Sequence, residues 1–226
     1  MCTENFMTLS SVSLGNIPQL WEQNDVLIFL IDLDNYDTLS VECLNSIESE
    51  QLDKLQTIYF KKRYIVSRTV LKHVLCHLLN KSSALEISTY KDECGKVHIL
   101  NHKEFHICIS YSENVVTLAI SKVEIGIDVE IKRPLALKNT LKYFQKTSSC
   151  ADTSVVESDI LKMWTMKEAY CKFSNKNMFS IFSKELDFKN ICYSSYVLDN
   201  KYIFSVITDS GPHTINISRL EKINYS

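Results

Sequence analysis

Two short stretches carry acids at spacings that suit chemistry. In IGIDVE (125–130), Asp128 and Glu130 alternate with Ile127 and Val129. On an extended strand the two carboxylates share one face, with Cβ atoms roughly 6–7 Å apart. Such a pair can converge on one hard cation. An amphipathic strand with a solvated acidic face has the same pattern, so the pair alone decides nothing. Gly126 adds a second signal, because a glycine inside a strand often marks close approach by a ligand or another backbone. Farther on, WTMKEAYCK (164–172) sets Trp164, Glu168 and Lys172 at i, i+4 and i+8, along one face of a helix. Glu168 followed by Lys172 is also the order of an ordinary surface ion pair. Trp164 at the same azimuth argues that this face is partly covered. A carboxylate to ligate an ion, with Lys172 and the neighbouring Lys167 to neutralise phosphoryl oxygens, is what a metal–phosphate site requires.

The remaining candidates are weaker. His98, His102 and His106 are evenly spaced by four, but they span strand-like segments, so helical spacing does not gather them. His73 and His77 are i, i+4 on a helix, and no H-E-x-x-H occurs; partly buried structural histidines are expected. The eight cysteines are scattered without a C-x-x-C pair, and several lie in apolar runs. They read as reduced, core-filling thiols rather than a zinc site or disulfide framework. A formal charge of −2 on 226 residues gives no global basic field, which argues against nucleic acid as the main partner. The N-terminal stretch has no signal-peptide pattern, and VLIFLI (26–31) is far short of a membrane span. The expectation is a cytoplasmic protein with no membrane partner.

The elements that must position these residues follow from periodicity. VLIFLIDL (26–33) reads as a buried strand. Ser40 is a candidate N-cap for a helix through VECLNSIESEQLDKLQ. A second helix is expected over about 60–79, with Lys61, Lys62, Arg63 and Arg68 crowding its first half. From residue 84 short strands follow one another: LEISTY, KVHIL, FHICISY, VVTLAI and EIGIDVE. DECGK (92–96) is the clearest turn, with Gly95 at its positive-φ position. Helices return at 136–146 and 158–173, then strands ELDF, SSYVL, YIFSVIT and HTINIS. The order predicts an α+β fold of two similar α/β halves. We place the halves at 1–115 and 116–226.

G-I-D-V-E followed by W-T-M-K-E-A-Y-C-K, with 40 residues between Asp128 and Glu168, resembles the Sfp-type 4′-phosphopantetheinyl transferases, the class that activates peptide and polyketide synthetases. The family pattern is G-[IV]-D-[IVL]-E, then W-[ST]-x-K-E-[AS]-x-x-K. Each motif alone is weak; the pair in this order and spacing is specific. Partial matches lie upstream. CISYSENVV (108–116) is similar to the family's N-[IVL]-S-H-S-x-x-x-V strand, which puts Ser110 and Tyr111 on the coenzyme A phosphate side. Tyr111 stands where the family has histidine, and a tyrosine cannot become cationic near neutral pH. GKV (95–97) resembles a G-K-P turn in which Lys96 reaches a phosphate, with Val97 in place of proline. Arg68 and Thr69 match an R-T pair beside the adenine end of the nucleotide. The preceding Lys61, Lys62 and Arg63 align only loosely and take no individual role.

The resemblance implies a pseudo-dimeric monomer. Its N-terminal half contacts the coenzyme, and its C-terminal half holds the metal and the catalytic lysine. It implies transfer of 4′-phosphopantetheine from coenzyme A to a serine of an apo acyl, peptidyl or polyketide carrier protein, with release of 3′,5′-ADP. Asp128, Glu130 and Glu168 would ligate Mg²⁺, Lys172 would offset phosphate charge, and Glu168 or a metal-bound water would take the serine proton. Lys138, Lys142 and Lys146, at i, i+4 and i+8, suit an acidic carrier or are simply a solvated face. Two other readings stay open: a carrier- or nucleotide-binding relative that lost turnover, and another Mg²⁺-dependent phosphoryl enzyme with convergent carboxylates.

Overall fold

The computed structural model describes residues 5–36, 40–132, 157–177, 181 and 189–223. Helix and sheet are mixed, as the α+β expectation requires. The chain forms two compact units: Leu9–Val123 with Pro212–Ser226, and Met1–Thr8 with Glu124–Gly211. The boundary placed at 115/116 instead falls inside a hairpin. Strand β6 (His106–Ser112) pairs antiparallel with β7 (Val115–Ser121) across the turn at Glu113 and Asn114, so both strands stay in the first-named unit.

That unit is built on a five-stranded sheet of order β2-β11-β3-β7-β6, where β2 is Ser11–Val12, β3 Val26–Asp32 and β11 Ile215–Leu220. The first six residues of β3 are apolar and wholly buried, so the expected buried strand is present. Alternate residues Leu27, Phe29 and Ile31 join a core with Val70, Leu71 and Val74 of helix α3 (Ile58–Leu78). α1 (Ile17–Gln23) packs on α3. Thr57 caps α3, accepting from the Phe60 amide at 3.2 Å.

The helix before α3 starts later than its hydrophobic spacing suggests. α2 spans Ser46–Asp53, and Asn45, not Ser40, is its N-cap. The Asn45 side chain accepts from the Glu48 amide while Glu48 accepts from the Asn45 amide, both at 2.9 Å. This reciprocal pair satisfies two amides that the helix start leaves open. Strands β4 (Thr89–Lys91) and β5 (Val97–Ile99) form a separate hairpin. Its turn has Gly95 at φ +89°, as expected. LEISTY is strand only at its end, since Ala84–Glu86 form a 3-10 turn.

The other unit carries a four-stranded sheet of order β1-β9-β10-β8. Here β1 is Asn5–Met7, β8 Ile125–Ile131, β9 Ile191–Leu198 and β10 Tyr202–Asp209. Helix α4 (Glu157–Ser174) packs on β8 and β10. The expected helix at 136–146 and strand ELDF lie outside the described residues. Among the described residues no helix is long and apolar enough to cross a membrane.

Candidate active site

Gly126 explains why the acids are where they are. A Cβ at this position would lie 2.0 Å from the Ala169 carbonyl oxygen and 2.6 Å from the Phe173 amide nitrogen. The approaching backbone is therefore helix α4, and only glycine lets it settle this close to β8. Strand alternation places Asp128 and Glu130 on the same face as Gly126, so the helix covers what otherwise reads as a wet acidic face. Asp128 is 2% exposed and Glu130 half-buried.

Lys172, on the last turn of α4, reaches back to the strand. Its Nζ donates to Asp128 Oδ1 at 2.8 Å and to the Ile127 carbonyl at 3.1 Å. The lysine thus pairs with the strand acid, and its charge also acts on Glu168. Glu168, one turn earlier, is pushed from its ordinary 4.5 up to about 8. Burial is the largest cause, followed by the Asp128 charge and a hydrogen bond shared with Asp128; Lys172 opposes the shift and Glu130 adds to it. Asp128, Glu168 and Lys172 therefore form one electrostatic cluster. Among the described residues no three His, Cys, Asp or Glu side chains are gathered at metal-ligand spacing.

Two neighbours of the cluster are shifted by burial as well. Lys167 is buried, and burial lowers its pKa. Burial, then the Glu168 charge, pushes the Cys171 thiol up to about 11, so it remains protonated and unreactive. A polar row absent from the sequence reading lies beside Asp128. Ser205 of β10 is directly opposite Asp128 and Ser195 of β9 opposite Ser205. Thr165 Oγ1 of α4 lies 2.7 Å from Ser205 Oγ, which is 2.8 Å from Ser195 Oγ. The available signal was Ser205 itself, a lone small polar residue within the apolar run YIFSVI.

The upstream candidates fall in the other unit. Arg68 is 1% exposed on α3, and its Nε and Nη1 are buried without a hydrogen-bond acceptor. The adjacent Thr69 hydroxyl is likewise buried and unpartnered. Lys96 closes the β4–β5 turn. There the Asp92 carboxylate accepts from the Cys94 amide at 3.0 Å and the Lys96 amide at 2.8 Å. That carboxylate pre-sets the turn in the absence of a proline at 97. Ser110 and Tyr111 are consecutive on β6, so their side chains leave opposite faces of the sheet. Tyr111 faces α3, where its hydroxyl lies 2.9 Å from Ser67 Oγ. Ser110 is buried on the other side.

The histidines form local pairs. His98 lies 3.0 Å from Asp92 and His102 2.9 Å from Glu104. Of the described cysteines, Cys108 and Cys171 fill core positions, whereas Cys94 and Cys192 are exposed; all are free. Lys138, Lys142 and Lys146 lie outside the described residues.

No family model matches the chain. The resemblance read from its motifs is borne out by two curated proteins. The chain is 28% identical over 144 residues to the 4′-phosphopantetheinyl transferase Sfp of Bacillus subtilis (strain 168), a match covering 60% of this chain and 63% of that protein. It is 30% identical over 122 residues to the 4′-phosphopantetheinyl transferase gsp of Aneurinibacillus migulanus, covering 52% of this chain and 50% of the relative. The matched region thus spans between half and two thirds of these relatives.

Proposed function

We propose that the protein transfers the 4′-phosphopantetheine group of coenzyme A to a serine hydroxyl of an apo acyl, peptidyl or polyketide carrier protein, releasing 3′,5′-ADP. The observation that carries this reading is the cluster of Asp128, Glu168 and Lys172 across β8 and α4. Its support is the similarity to two 4′-phosphopantetheinyl transferases.

Carboxylate oxygens are the donors Mg²⁺ takes, although Asp128, Glu130 and Glu168 are not gathered at ligand spacing in this structure. Asp128 and Glu168 share a hydrogen bond, and Glu130 adds a third negative charge to Glu168. A proton now relieves that repulsion, and a hard dication bound to the same oxygens relieves it better. Asp128, Glu130 and Glu168 would hold the ion, and when bound it would neutralise charge on the phosphates of coenzyme A. The remaining work belongs to the chain. Lys172, fixed by Asp128, presents an ammonium to the phosphoryl oxygens. Glu168, hydrogen-bonded to Asp128, would take the serine proton. Arg68, with two buried N–H groups lacking acceptors, supplies a cation for the nucleotide end.

Incubation with coenzyme A, Mg²⁺ and apo carriers of all three types tests the reading by intact-protein mass spectrometry. One carrier should gain the mass of a phosphopantetheine group, and Asp128→Ala should abolish that gain at any practical Mg²⁺ level. No gain on any carrier would sink the activity. Near-normal turnover by Asp128→Ala would sink the metal assignment alone.

A further inference from the structure

We infer that Ser205 is a positioning residue for Glu168, fixing through Thr165 where α4 sits along the sheet. The geometry is that of three hydroxyls in a row. The consequence for activity rests on the transferase reading.

The row has one direction. Thr165 Oγ1 donates to the Lys162 carbonyl at 3.0 Å, which uses the only proton of that hydroxyl. In the 2.7 Å contact between Thr165 and Ser205 the donor is therefore Ser205. Ser205 has then spent its own proton, so Ser195 donates in the 2.8 Å contact between the two serines. Thr165 and Ser205 are fully buried, and Ser195 is half-buried. The bond that reaches the helix is thus the one given by Ser205, and it does not depend on Ser195.

That bond lies beside the acids. Ser205 is directly opposite Asp128 on the neighbouring strand, and both side chains meet α4. Thr165, Glu168, Ala169 and Lys172 are spaced i, i+3, i+4 and i+7, so they share the face of α4 turned to the sheet. Thr165 with Ser205 and Glu168 with Asp128 are therefore adjacent rungs, one turn apart on the helix and one strand apart in the sheet. The seam between them is shallow, because Ala169 settles on Gly126 and Thr165 on Ser205, and small side chains offer little ridge against sliding. Lys172 cannot supply the stop, since its ammonium rides on a flexible stem and can follow a helix that shifts. The Ser205–Thr165 bond is short, buried and directional, and sliding along the helix axis stretches and bends it. Hydroxyls that merely satisfied one another in the core would make Ser195 and Ser205 equivalent; the direction of the row makes them unequal.

The test compares Ser205→Ala, Thr165→Val, Thr165→Ser and Ser195→Ala, each first shown folded by thermal melting. Steady-state transfer is measured on the carrier that the wild type modifies. Ser205→Ala and Thr165→Val should lose about ten- to a hundredfold in kcat, the cost of misplacing a reacting group by about 1 Å, with the KM for coenzyme A unchanged. Thr165→Ser keeps the hydroxyl and should keep most of the rate. Ser195→Ala leaves the bond to the helix and should turn over as the wild type does. A crystal structure of Ser205→Ala should show α4 shifted along β8, with the Glu168 carboxyl parted from Asp128. An unchanged kcat in Ser205→Ala, or an equal loss in Ser195→Ala, would overturn the inference and leave the transferase reading intact. An α4 that has not moved in the Ser205→Ala crystal would overturn it whatever the enzyme does. A wild type that modifies no carrier would sink the transferase reading alone, and the crystal structure would still decide the position of α4.

Discussion

At Glu168, burial and neighbouring charge push in the same direction. Its carboxyl sits among Asp128 and Glu130, and the Lys172 ammonium, hydrogen-bonded to Asp128, offsets them only in part. Raising this group from 4.5 to about 8 has a thermodynamic consequence. Between those values the native chain keeps a proton that the unfolded chain has released, so stability falls as pH rises. The stabilising contribution is complete below 4.5 and lost by the time pH passes about 8. Without divalent ions the melting temperature should therefore decline from pH 5 to pH 8, and Glu168→Gln should flatten that decline. Added Mg²⁺ should raise the melting temperature more at pH 8 than at pH 5.5, because at pH 5.5 it must displace the proton. A Mg²⁺ response of equal size at both pH values would remove Glu168 from the ligand set.

At the scale of elements, one close approach and one buried ion pair hold the site's scaffolds. Gly126→Ala would drive a methyl into the Ala169 carbonyl and the Phe173 backbone. Backbone on both contacts cannot swing aside, so α4 must lift from β8. The expected cost is about 3 kcal/mol in chemical denaturation, with loss of the Asp128–Lys172 pair. Wild-type stability in Gly126→Ala would show that the helix is not seated so tightly. In the other unit, Glu48 ties α2 to α3 by an ion pair to Lys72 of 2.6 Å, with both side chains fully buried. Glu48 also accepts from the Thr89 hydroxyl, and Lys72 donates to the Cys43 carbonyl at 2.6 Å. Glu48→Ala should leave a buried, unpaired ammonium and cost about 3–5 kcal/mol. Replacing both partners by leucine or methionine should cost far less.

At the scale of the whole molecule, both chain termini return to units built mainly from other parts of the sequence. β1 pairs parallel with β9, so residues 5–7 edge a sheet whose other strands begin at Ile125. β11, after Gly211, lies between β2 and β3 in the five-stranded sheet. Deleting 212–226 should expose the edge of β3, whose first six residues are apolar. Such a chain is expected to aggregate on expression, whereas deleting 1–8 removes only a short edge strand. A soluble, monomeric 1–211 chain by size-exclusion chromatography would contradict this routing.

The sequence alone carried the long elements and the candidate site residues. Strand β3, helices α3 and α4, and the alternation of IGIDVE follow from local periodicity, which backbone geometry dictates within a few residues. Local capping was readable in principle too, since Asn45 and Glu48 are a reciprocal pair three residues apart, masked by hydrophobic spacing that continued upstream. The tertiary structure decided what depends on approach between distant segments. Whether Asp128 faced water was settled by a helix starting at residue 157, through a glycine whose missing side chain states no partner. Lys172 reaches both Asp128 and the strand carbonyl of Ile127, a pairing that only the packing of α4 on β8 brings about. Tyr111 met Ser67 only when β6 was laid beside α3, since no spacing along the chain brings residues 67 and 111 together.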